Sequence, residues 1–197
     1  MFEDILSSKF YAVSVTLTRY IFLTVLLIIF SLPVITIGAS LAATIATIRQ
    51  PEYPTFQLFW RSFRMNILRG GVVFLFSGFT IMFIFQFAQF ARVMPFGNTF
   101  LFVVSIFLIV YNLNAYLFVD ILKKCSYTFF RQVFFFTIGT IYKTFFIPII
   151  AFGFAFVAPI IGGWPLLFMS IPVVLAIYVR MVRNDIETAM EAVEELN

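Results

Sequence analysis

Long apolar runs, separated by short polar or glycine-rich segments, dominate the chain. A helix of about 18 or more apolar residues with few charges is long enough to cross the hydrocarbon core of a bilayer. The pattern predicts five such spans, with the last two joined by a tight turn at Gly162-Gly163-Trp164. The predicted spans cover residues 20–46, 72–90, 99–119, 144–161 and 165–179. We therefore expect an all-α polytopic membrane bundle, with residues 1–197 forming a single membrane domain.

The first span contains a proline, Pro33, and predicts one helix kinked at that point. Proline has no amide hydrogen, so in lipid the carbonyl that it frees needs another donor, and Ser31, Thr36 and Ser40 are placed to help. After the break, small residues recur at helical spacing and form what we call the small-residue ridge: Gly38, Ala39, Ala42, Ala43 and Ala46. Such ridges let helix backbones approach closely. The neighbouring helix could belong to this chain or to a partner protein.

Two further amphipathic segments flank the spans. Residues 55–69 predict an interfacial helix that places aromatic residues on one side and arginines on another; these are Phe59, Trp60, Phe63, Arg61 and Arg64. It could lie on an anionic membrane surface or contact a partner's cytoplasmic loops. Residues 180–197 carry several acids and predict a solvated helical extension of the last span, or a docking helix.

The charge content excludes other classes of protein. Charged residues make up only 11% of the chain and hydrophobic residues 62%, whereas a soluble domain has roughly a quarter charged residues. The net charge of +4 comes from basic residues between spans, which indicates membrane topology rather than nucleic-acid binding. Lys9, Arg19 and Arg92 fall on one predicted side and the other basic residues on the opposite side. The positive-inside rule then predicts a multi-pass protein of the bacterial plasma membrane, with its N-terminus outside and its C-terminus cytoplasmic.

Polar residues within the spans are few. Gln86, Gln89, Asn112 and Asn114 lie in predicted spans, and Asp120 lies at the cytoplasmic end of the third. Hydrogen bonding between helices is the expected role of the amides. We expect Asp120 to pair with Lys123 or Lys124, one helical turn further on. A chain without histidine, with a single cysteine and no phosphate-binding loop predicts no catalytic group, no metal and no cofactor.

Two stretches resemble a known family. The sequence Ser31-Leu32-Pro33-Val34-Ile35-Thr36-Ile37-Gly38-Ala39-Ser40 and, after it, Phe59-Trp60-Arg61-Ser62-Phe63-Arg64-Met65-Asn66 are similar to the signature of YesL-like proteins. These are small membrane proteins of unknown function, mainly from Gram-positive bacteria, commonly encoded beside carbohydrate ABC-importer genes. The resemblance implies a role near sugar uptake and assigns no catalytic residue.

Three hypotheses about function follow from these observations. The first is a non-enzymatic accessory subunit that packs against the permease subunits of a carbohydrate ABC importer, because the chain lacks the loop by which core permeases engage their ATPases. The alternative is an oligomeric channel for a small polar solute, lined by Gln86, Asn112 and Asn114. A membrane sensor or scaffold that signals through the acidic tail is the third.

Overall fold

The computed structural model describes residues 2–91, 93–122 and 126–194, and these residues fold into α-helices without a strand among them. The helices are α1 Phe2–Ser31, α2 Ile37–Arg49, α3 Thr55–Ala91, α4 Gly97–Ile121, α5 Tyr127–Thr144 and α6 Phe146–Glu194. Four segments are long and apolar enough to cross a membrane, and a fifth is a pair of helices bent by 65°. The prediction of an all-α polytopic bundle is confirmed.

The first predicted span is a helical hairpin rather than one kinked helix. The guanidinium of Arg19, in α1, donates hydrogen bonds to the carbonyl oxygens of Thr47, at 2.7 Å, and Pro51, at 2.6 Å. The C-terminal end of α2 therefore lies beside the middle of α1, and α2 runs back along it. The structure thus corrects the single span over residues 20–46, although the break falls at Pro33 as predicted.

Local hydrogen bonding explains how the chain reverses at Pro33. This residue is extended, with φ −76° and ψ 119°, and a short 3-10 turn, Val34–Thr36, follows it. The Thr36 hydroxyl lies 2.6 Å from the carbonyl oxygen of Phe30, and the Ser40 hydroxyl donates to the carbonyl of Thr36 at 3.0 Å. These hydroxyls bind carbonyls at the break, which lets the backbone turn without leaving them unpaired in lipid.

The small-residue ridge of α2 packs against α3 of the same chain. A Cβ atom added to Gly38 would lie 2.0 Å from the carbonyl oxygen of Gly70, and one added to Gly70 would lie 2.5 Å from the amide nitrogen of Ala39. The alanines of the ridge are buried as well. The ridge therefore packs against a helix of this chain and not against a partner protein, and the two backbones lie in close contact.

The predicted interfacial helix at 55–69 is the first part of α3, which runs on without interruption to Ala91. Its aromatic face is covered by this chain: Phe59 and Phe63 are buried, and the Phe63 ring lies 4.9 Å from that of Phe30. Arg61 and Arg64 remain exposed, as does Trp60, with the Arg64 guanidinium 5.7 Å from the Trp60 ring. The helix continues through Gly70 because α2 packs closely there, a tertiary effect that local periodicity does not reveal.

The last two predicted spans form a second hairpin. Within α6, Gly163 has φ 67° and ψ −166°, a conformation that side chains with a Cβ rarely adopt, and it separates two helices. Lys143, just before α6, pairs with Asp185, in the second helix, at 2.8 Å. The second helix therefore runs back to the point at which the first helix begins. The second helix continues to Glu194 and includes the predicted acidic extension, while residues 195–197 lie outside the described part.

The two hairpins bring the start and the end of the described chain to one end of the bundle. Tyr20, Arg49 and Arg180 line a common cavity there. Arg19 therefore lies at the same end as the basic residues that were predicted on the opposite side. The reason is that α2 runs back along α1, whereas the sequence pattern predicted one span for the two helices. We call this end the basic end. Arg92, predicted with Arg19, lies outside the described residues.

We predict that both ends of the chain are accessible from the same side of the membrane. In a background with Cys125→Ser, cysteines at Thr16 and Thr188 should react with a membrane-impermeant maleimide only after the cells are permeabilised. A cysteine at Phe96, in the turn between α3 and α4, should react in intact cells. Labelling of the Thr16 and Thr188 positions from opposite sides of the membrane would contradict the α1–α2 hairpin and would support the topology predicted from the sequence, with the N-terminus outside and the C-terminus cytoplasmic.

We also predict that Gly70→Ala destabilises the protein by about 1–3 kcal/mol, because the added methyl group has no space against α2. Gly139→Ala is the matched control, since a Cβ there meets nothing within 4 Å. Unfolding in detergent micelles, followed by circular dichroism, measures both changes. Equal effects of the two substitutions would show that the close approach is not required.

Candidate functional site

A cavity of about 500 Å³ opens at the basic end, between the C-terminal end of α2 and the second helix of α6. We call it the basic cavity. Its charged side chains are Arg49, Arg180, Arg183 and Glu187. Tyr20 and Gln50 add an uncharged hydroxyl and an amide, and apolar side chains from α2, the turn after it and α6 form the rest of the wall. It is thus a concave site of the size that ligand pockets commonly have.

Arg49 is held in place by a network that joins three helices. Its Nη2 atom donates to Oδ2 of Asp120, in α4, at 2.9 Å. Oδ1 of Asp120 accepts hydrogen bonds from Ser62, at 2.8 Å, and Asn66, at 3.2 Å, both in α3. The Arg49 and Asp120 side chains are only 15% and 20% exposed. We call these four residues the Asp120 network.

The network gives Asp120 a partner, Arg49, that the sequence pattern did not predict. Lys123 and Lys124 lie outside the described residues, so the predicted pairing of Asp120 with either of them stays a prediction. Helical spacing identifies neighbours on the same helix, whereas this partner comes from a helix far away in sequence. Ser62 and Asn66, which the sequence analysis missed, stand four residues apart on an aromatic-rich helix, and that spacing was the available signal.

Arg19, in α1, lies next to the site and holds the end of α2 in place. Its two bonds to carbonyls at the end of α2 satisfy acceptors that a helix leaves free at its C-terminus. A cation at this position also interacts favourably with the negative end of the helix dipole. Arg19 therefore fixes the segment that carries Arg49 beside the cavity.

The two arginines of α6 are less constrained than Arg49. Arg180 is exposed. Arg183 pairs with Glu187 at 3.2 Å, but the two side chains are 69% and 61% exposed, so solvent weakens the pair. The Nη1 atom of Arg49 is buried and has no hydrogen-bond partner among the described residues. The accessible guanidinium groups of the cavity are therefore those of Arg180 and Arg183.

The intramembrane asparagines bind two different sets of neighbours. Asn112 accepts a hydrogen bond from Ser77, in α3, at 2.7 Å, and the Ser77 hydroxyl also lies 3.0 Å from that of Tyr116. Asn114 donates to Thr137, in α5, at 2.9 Å and accepts a hydrogen bond from Tyr178, in α6. These bonds join α4 to three other helices, which is the interhelical role expected for such amides.

The glutamines do not join these clusters. Gln86 and Gln89 are exposed on α3, near its C-terminal end, and neither lines the basic cavity. Asn114 is fully buried and engaged in hydrogen bonds. The residues of the predicted solute path, Gln86, Asn112 and Asn114, are therefore not brought together in one place.

Comparisons with protein-family models, with curated proteins and with solved structures give no match for this chain. The resemblance to YesL-like proteins therefore stays a prediction that rests on the two quoted motifs.

We predict that Asp120→Asn destabilises the protein by about 1–3 kcal/mol, because it leaves the Arg49 charge unpaired in a partly buried position. Adding Arg49→Gln should restore part of the loss by removing that charge. Glu187→Gln is the control and should change stability by about 0.5 kcal/mol or less, since its pair is exposed. Denaturation in detergent measures the series. Unchanged stability of the Asp120→Asn protein would exclude a structural role for the network.

Proposed function

We propose that this chain is a non-enzymatic integral membrane subunit that binds the permease subunits of a carbohydrate ABC importer in the bacterial plasma membrane. The observation that carries the proposal is an exposed face of α3 that combines a glycine with two glutamines. It consists of Gly78, Met82, Gln86 and Gln89, which we call the α3 docking face.

The spacing and exposure of these residues suit a partner helix. Steps of three and four residues place them on one side of an α-helix. A Cβ atom added to Gly78 would meet nothing within 4 Å, so another backbone can approach there. The exposed amides of Gln86 and Gln89 have no hydrogen-bond partner in the described chain, and lipid offers none. A neighbouring helix can supply those bonds, while Gly78 permits close contact.

The internal use of the other polar residues supports the same proposal. Ser77, Asn112, Asn114, Thr137 and Tyr178 hydrogen-bond between helices of this chain. They hold the bundle together, whereas the amides of Gln86 and Gln89 are exposed on α3. A solute channel through the monomer receives less support, because Asn114 is fully buried. The choice of an ABC-importer permease as the partner rests on the YesL-like motifs.

The test is co-purification from host membranes in a mild detergent, followed by identification of the proteins that elute with the chain. We expect permease subunits to be recovered with the unaltered protein. Gly78→Leu and Gln86→Leu should each lower that recovery about tenfold, a loss equivalent to about 1.4 kcal/mol of binding free energy.

Gly153→Leu is the matched control, since Gly153 is also exposed and a Cβ there meets nothing within 4 Å. It should leave recovery unchanged. Recovery of the chain alone, with no cross-linked partner, would contradict the proposal. Solute flux through liposomes that contain only the purified chain would favour the channel instead.

A further inference from the structure

The basic cavity has two chemically distinct walls. Arg49, Arg180 and Arg183 provide three guanidinium groups, against the single carboxylate of Glu187. The other wall contains Ile48, from α2, and further apolar side chains of α6. The apolar residues that α6 contributes to this wall belong to a helix that is long and apolar enough to cross a membrane.

The guanidinium groups are arranged to accept an anion. Arg49 is held by Asp120 through Nη2, so it lines the cavity as a fixed positive charge. Arg180 and Arg183 lie three residues apart on one helix, so both reach the same cavity. Guanidinium forms paired, charge-assisted hydrogen bonds with phosphate oxygens, and the exposed bond from Arg183 to Glu187 is weak enough to exchange for them.

We propose that the basic cavity binds the phosphate group of an anionic amphiphile, with an anionic phospholipid of the cytoplasmic leaflet as its source. Basic pockets between membrane helices on the cytoplasmic side suit lipid headgroups. A volume of about 500 Å³ holds a headgroup and the first carbons beyond it, and the apolar wall leads the chains into the bilayer. A soluble phosphate ion shares the chemistry of the charged wall alone. The site is separate from the α3 docking face, so the two proposals stand or fall independently.

Native mass spectrometry of the full chain in detergent tests the site. Phosphatidylglycerol is titrated into the protein, with phosphatidylcholine as the zwitterionic comparison and inorganic phosphate as the soluble one. We expect phosphatidylglycerol to bind at least about tenfold more tightly than phosphatidylcholine, and Arg180→Gln/Arg183→Gln to remove about that preference. Both arginines are exposed, so their replacement preserves the fold.

Arg61→Gln/Arg64→Gln is the matched control, because it removes two exposed arginines that lie outside the cavity. It should keep the preference for phosphatidylglycerol. If inorganic phosphate at millimolar concentration displaces the lipid from the unaltered protein but not from the α6 variant, the phosphate group is the part that the cavity recognises. Equal binding of the two lipids, or an equal loss in both double variants, would overturn the proposal.

Discussion

The contact between α2 and α3, where Gly38 and Gly70 bring two backbones together, determines much of the arrangement of the bundle. Lipid gives little hydrophobic drive for helices to associate, so close van der Waals packing has to supply it. The contact also sets where the end of α2 lies. Arg49 can reach Asp120, and Arg19 can bind the last carbonyls of α2, only because α2 lies against α3 and runs back along α1.

Polar groups inside this bundle reinforce that packing instead of opening a path. Ser77 and Asn112 join α3 to α4, and Asn114 joins α4 to both α5 and α6. Each such bond is worth on the order of 0.6 kcal/mol, so their value lies in fixing which helix faces meet. Gln86 and Gln89 differ because their amides face outward. That contrast is the physical basis for proposing a partner on α3 and not a solute path through α4.

The sequence predicts what depends on local composition and misses what depends on tertiary packing. Apolar run length predicted an all-α bundle with helices long enough to cross a membrane, and Pro33 marked the true position of the first break. Run length did not predict that Tyr127–Thr144 pairs with Phe146–Ile161 as a bent apolar unit. The direction taken after Pro33 could not be predicted, because a kink and a full reversal both satisfy the freed carbonyls. The continuity of α3 through Gly70 could not be predicted for a related reason. Two adjacent glycines are typical of a helix end, and only the packing of α2 against them shows that the helix continues. The partner of Asp120 was equally hidden, because it comes from another helix.

The α1–α2 hairpin also changes what the basic residues mean. With one first span kinked at Pro33, Arg19 counts against the positive-inside rule; with the hairpin, it lies at the same end as Arg49, Arg180 and Arg183. The charge asymmetry along the chain is therefore greater than the sequence pattern suggested, and it favours a cytoplasmic basic end more strongly. An anionic leaflet attracts such residues, so the arginines that favour this orientation are also the ones proposed to hold a phosphate group. The predicted topology and the proposed ligand site would then draw on the same side chains.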